Sequence, residues 1–216
     1  MKKNAPNRIL ALAGVACLLA GCGTTAGYKQ ADKTGAGIAE YRDEVVNVKK
    51  AVDATIKSMD QVEVTANTDP RKAFEQFSKD LAALDSAASK ARQRGQEMKS
   101  QGEAYFVNWE QQLAQVKNPE IKQLAEQRKD KVRAAFDGIK KVAEPLRAQF
   151  DPWLSDLKDL QAYLNNDLTI AGVDAARSQF TKAKADGEEV VKSMDALVAE
   201  LNSIAAAVTP AKVQPK

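Results

Sequence analysis

The sequence predicts an all-α protein, an elongated antiparallel bundle of about four long, coiled-coil-like helices. Apolar residues recur at spacings of three and four almost without interruption from Ile38 to Val208. The interruptions are short and turn-forming, at Asn67-Thr68-Asp69-Pro70, Asn118-Pro119 and Leu168-Thr169. No segment alternates with the period of two that a half-buried strand requires.

Residues 1–21 precede the bundle and have the parts of an export signal. Lys2, Lys3 and Arg8 form a basic segment free of acids, Ile9 to Ala20 is apolar, and small residues close the stretch. The apolar run is too short to span a bilayer, which needs about 20 residues. Leu19, Ala20, Gly21 and Cys22 resemble the lipobox of bacterial lipoproteins. That resemblance implies recognition by the signal peptidase through Leu19, Ala20 and Gly21, and lipidation of Cys22 with palmitate-type chains. The expected product is anchored to a membrane without crossing it. Gly23 stands where Asp is absent, so in a Gram-negative cell the resemblance implies the periplasmic face of the outer membrane. Residues 22–37, rich in Gly, Thr and Ala and without apolar rhythm, read as a flexible tether.

The first helix begins at Ile38 and carries Tyr41, Val45, Val48, Val52, Ile56, Met59 and Val62 on one stripe. Asp69 is placed to cap the second helix, with Pro70 in its first position. The second stripe runs through Phe74, Phe77, Leu81, Leu84, Ala88, Ala91, Gly95, Met98, Gly102, Tyr105 and Trp109, and its small residues permit close approach of a neighbour. Asn118-Pro119 opens the third helix, whose stripe is expected to start at Ile121 and Leu124 and end at Leu164. Pro145 and Pro152 lie inside it, so a kink is expected, or a break with Asp151 as a new cap. Trp153, counted from the following turn, falls opposite Gly187 and reads as packing. Thr169 caps a fourth helix running from Val173 to Val208, with Leu168 positioned to staple against Val173. Thr209 to Lys216 is expected to be a disordered tail, leaving 38–208 as the bundle domain.

Composition excludes several functions. The chain has 32 Lys plus Arg and 29 Asp plus Glu, and removing the three bases of residues 1–21 leaves 29 against 29. A neutral body with interspersed charges does not suit nucleic acid. The run Glu126 to Arg133 mixes both signs and reads as a solvated face. There is no histidine, which removes the commonest general base and transition-metal ligand. Cys17 leaves with the signal and Cys22 takes lipid, so no disulfide forms. The expectation is a protein that is not an enzyme, with no cofactor and no metal.

Arg94-Gly95-Gln96-Glu97-Met98, then Tyr105-Phe106-Val107-Asn108-Trp109-Glu110, Leu113 and Asn118-Pro119-Glu120 form a pattern completed by Leu164-Asn165-Asn166-Asp167-Leu168-Thr169. This pattern resembles an uncharacterised bacterial family, domain of unknown function 2959. The resemblance implies a helical, envelope-associated protein and brings no activity with it.

Tyr105, Phe106 and Trp109 are the candidate interaction surface. Folding the second helix back on the first brings them opposite Tyr28 to Ala36, while the fourth helix covers the third only to around Lys131, leaving the 102–131 hairpin partly uncovered. The plainer account is that these aromatics fill core positions. Two functions follow: a structural or adaptor lipoprotein with an envelope protein partner, or a binder of lipid-like molecules through an aromatic groove near the membrane. Long apolar stripes suit a closed monomer and a homo-oligomer equally.

Overall fold

The structure, a computed structural model, describes residues 27–209. The expected signal peptide, with Leu19, Ala20 and Gly21, the expected lipidation site Cys22 and residues 210–216 lie outside the described residues. Five helices follow in order: α1 (Gly27–Thr65), α2 (Arg71–Leu113), α3 (Pro119–Asn166), the short α4 (Ile170–Ala175) and α5 (Arg177–Val208). No strand occurs among the described residues.

Each long helix carries one apolar stripe, and the stripes meet in a single core because burying them individually is impossible. α1 packs along both α2 and α5, α3 packs along α5, and of the neighbouring long helices α2 and α3 touch least. The bundle is therefore closed on three sides and looser on the fourth. Hydroxyls buried in α1 satisfy themselves locally: Thr55 donates to the Ala51 carbonyl at 2.8 Å and Ser58 to that of Ala54 at 3.0 Å. Ion pairs lace the outer seams, Lys184 to Asp60 between α5 and α1 and Lys158 to Asp85 between α3 and α2, both at 2.9 Å.

The helix starts follow local chemistry. Asn118 accepts hydrogen bonds from the backbone N–H groups of Glu120 and Ile121 at 2.9 and 3.2 Å, and Pro119 takes the first helical position. Thr169 caps α4 through Gly172 N–H at 3.1 Å. At α2 the expected arrangement shifts by one residue: Pro70 is the cap and the helix starts at Arg71, whose N–H donates to Asp69 at 3.2 Å. The Arg71 side chain also donates to Asp69, and these bonds hold the carboxyl down to about 2.

Several expectations are corrected. The tether assigned to 22–37 is helical from Gly27 onward, with Ala31 and Thr34 buried. Small residues replace apolar rhythm here, since a side chain at Gly35 or Gly37 would strike Thr209 or Gln101. Thr209 itself is held, its N–H donating to the Ala205 carbonyl at 3.0 Å. α3 is continuous through Pro145 and Pro152, so of the expected kink or break the break does not occur. An interior proline costs about 3 kcal/mol, and the burial of Leu146, Phe150, Trp153 and Leu154 around the two prolines outweighs it. Asp151 consequently caps nothing. The fourth helix, by contrast, is divided at Ala176, whose N–H is shared between the carbonyls of Gly172 and Val173.

The last correction concerns the start of the third stripe. Ile121 and Leu124 are 56% and 69% exposed, because α5 ends at Val208 and no helix among the described residues reaches them. Arg128, donating to the Ala207 carbonyl at 2.7 Å, marks where coverage ends. Residues 114–128 are exposed apart from a half-buried Val116 and Ala125.

Candidate functional site

The aromatic group on α2 is core. Phe106 is 1% exposed and Tyr105 9%, while Trp109 is half-buried. Their rings stack in sequence, with centroids 5.4 Å apart from Tyr105 to Phe106 and from Tyr105 to Trp109. Phe106 also meets Phe136 of α3 edge-on at 5.8 Å, and the Arg133 guanidinium lies 4.3 Å above its face. These residues do not present the exposed interaction surface expected of them. α1 covers Tyr105 and Trp109 because its first turns are helical, and a small cavity of about 230 Å³ remains beside Tyr28 and Ala31.

The principal concavity lies elsewhere, between α2 and α3. It is a groove of about 490 Å³. Ala88, Ala91 and Gly95 line its α2 wall, Ile139, Ala143 and Leu146 its α3 wall, and Val45, Val48, Met194 and Leu197 its floor. The expectation that small residues draw a neighbour close holds at two positions. Gly95 receives the Tyr41 ring from α1, with carbons 3.1 to 3.3 Å from where a Cβ would stand, and Gly102 receives the ring of Phe136. Ala88 and Ala91 line the groove instead.

Two clusters bound the groove. At one end Phe136, seated on Gly102 and against Phe106, closes the gap between the helices. At the other, Asp151 accepts from Arg92 across the α2–α3 gap at 2.6 Å and from Arg147, one turn back on α3, at 3.1 Å. Burial pushes the Asp151 carboxyl up, but the bonds from Arg92 and Arg147 together outweigh it and leave it below the ordinary value. Arg92 also lies over the Phe150 ring, 5.9 Å from its centroid. In the floor, burial raises the Tyr41 hydroxyl. That hydroxyl makes no hydrogen bond among the described residues.

Arg133, expected on a solvated face, instead lies over Phe106, and Phe136 and Phe150 were not singled out from the sequence. Phe136 stands one residue to the side of the stripe position Ala135, whereas Phe150 falls four residues after Leu146 and three before Trp153, on the stripe's own spacing. Among the described residues no group of three His, Cys, Asp or Glu side chains is placed to hold a metal ion, and no helix is long and apolar enough to cross a membrane. The groove offers apolar surface and a charged rim, which is suited to holding a ligand.

Fold and groove define an all-helical bundle protein with an open side between its second and third long helices. The model of the family described as a protein of unknown function, DUF2959, matches residues 24–208, and the chain belongs to that family. No curated protein and no solved structure matches it.

Proposed function

We propose that this chain is an exported, lipid-anchored protein of the bacterial envelope, with a structural or adaptor role and no catalysed reaction. The observation that carries the reading is Leu19-Ala20-Gly21-Cys22 behind a basic and then apolar segment, five residues ahead of the first helix. An acyl anchor on Cys22 holds the bundle at a membrane surface, the periplasmic face of the outer membrane in a Gram-negative cell. Gly27 sits beside Gln112, so the anchored end is also the end of the 114–128 hairpin. Ile121 and Leu124 are exposed on that hairpin, and an envelope protein partner or a second copy would cover them.

Photo-crosslinking in living cells from Leu124, with exposed Lys79 at the opposite end as control, tests the adaptor role. A discrete protein adduct from Leu124 alone is expected. The absence of any adduct at Leu124, or the same adducts from both sites, would contradict it.

A second reading, binding of a hydrophobic ligand, is favoured by the 490 Å³ groove with its apolar floor. It places the ligand between α2 and α3, away from the Tyr105 and Trp109 group first considered for that role.

A further inference from the structure

We infer that the α2–α3 groove binds the acyl chain of a long-chain fatty acid and holds the carboxylate at its Arg92–Arg147 end; this rests on the hydrophobic-ligand reading above. Shape selects the chain. From Arg92 to Phe106 the α2 wall is about 21 Å of helix, so 490 Å³ distributed along it leaves a mean section of about 23 Å². A helix about 10 Å across does not fit such a slot. A single extended hydrocarbon chain does.

Polarity selects the orientation. The Phe106 end is shut by the Phe136 ring on Gly102, with the Arg133 guanidinium engaged on the Phe106 face 4.3 Å from its centroid. The far end carries two guanidinium groups that share one carboxylate, Asp151, and so retain one formal positive charge. Arg92 uses one Nη and Arg147 its Nε on Asp151, and their other N–H groups make no hydrogen bond among the described residues. A fatty-acid carboxylate meets these free donors in the charge-assisted geometry that arginine favours. Of the other rim cations, Lys140 pairs with Glu144 at 3.4 Å, Lys99 stands 3.9 Å from Glu103, and Arg133 lies with its guanidinium over the Phe106 ring.

The test uses the full chain carrying Cys22→Ala, so that no acyl group of its own competes, with hexadecanoate, hexadecan-1-ol and hexadecyltrimethylammonium as probes in a fluorescent fatty-acid displacement assay. Hexadecanoate is expected to bind about tenfold more tightly than the cationic probe, and Arg147→Gln to remove most of that preference while hexadecanol binding is unchanged. Lys140→Gln is expected to leave all three affinities as they are. Ala143→Phe fills the slot and is expected to abolish binding of every probe, with helicity by circular dichroism as the folding control; Ala88→Leu on the opposite wall replaces it should it unfold. Equal affinity for all three probes, abolished by the filling variant, would overturn the fatty-acid assignment and leave the hydrophobic-ligand reading standing. No binding of any probe, or binding that survives the filled slot, would overturn both.

Discussion

Trp153 of α3 packs against Gly187 of α5: a Cβ on Gly187 would stand 3.0 Å from the ring carbon Cζ2, and the indole N–H donates to the Ala183 carbonyl at 2.7 Å. The ring is 2% exposed and lies one residue past Pro152, so it ties α3 to α5 where the proline weakens the helix. Trp153→Ala is expected to cost about 3 to 5 kcal/mol. Trp153→Phe keeps most of the volume, loses the hydrogen bond, and is expected to cost about 1 to 2 kcal/mol. Gly187→Val overpacks the same contact from the other side, also against Ile56, at about 1 to 3 kcal/mol. Urea unfolding midpoints check all three.

Phe106 and Trp109 separate core from surface. Phe106→Ala is expected to destabilise by about 3 to 5 kcal/mol, and the half-buried Trp109 to tolerate alanine at about 1 to 2 kcal/mol. Guanidinium denaturation measures both. A Phe106→Ala protein as stable as the parent would mean that the ring does not fill the α2–α3 junction.

Gly102 and Phe136 form the closed end of the groove, and their tests are coupled. Gly102→Ala pushes a methyl into the ring and is expected to cost about 1 to 3 kcal/mol. In a Phe136→Leu background the same change is expected to cost less, a non-additivity that a double-mutant cycle reads directly.

Asp151 predicts a specific pH dependence. Its folded value lies below the ordinary one, so its contribution to stability is present above the unfolded carboxylate value of about 3.9 and is lost as the pH falls through the folded value. Arg92 and Asp151 are about two-fifths exposed, which screens the pair. Asp151→Asn is therefore expected to cost only about 0.5 to 1 kcal/mol at pH 7. Thermal melts from pH 7 down to 2 should show the parent and the variant converging in acid, and high salt should narrow the gap at neutral pH.

The legible parts of the fold were those fixed by one helix at a time. On α5 every stripe position from Phe180 to Val208 is buried, because spacings of three and four determine which face turns inward whatever the neighbour is. The Trp153–Gly187 contact was legible too, since a short turn fixes the register of α3 against α5. The groove was not. Ala88, Ala91 and Gly95 carry the same signature whether a neighbour approaches closely or leaves a gap, and the difference depends on which α3 side chains arrive at that height. Nor was the helical start of α1: Ala31, Thr34 and Gly35 have no apolar rhythm, and their burial comes from the smallness that lets Gln101 and Thr209 close over them. Ile121 and Leu124 fail in the opposite direction, continuing the stripe beyond the last residue of the helix that would bury them.

The central claim is the acyl anchor at Cys22, and mass spectrometry of the N-terminal peptide from protein purified out of cell membranes tests it most directly. The proposed account predicts a mature chain that begins at Cys22 and carries the mass of attached acyl groups, with Cys22→Ser releasing the protein from the membrane fraction. A chain that begins elsewhere, or a Cys22 thiol that is unmodified, would contradict it.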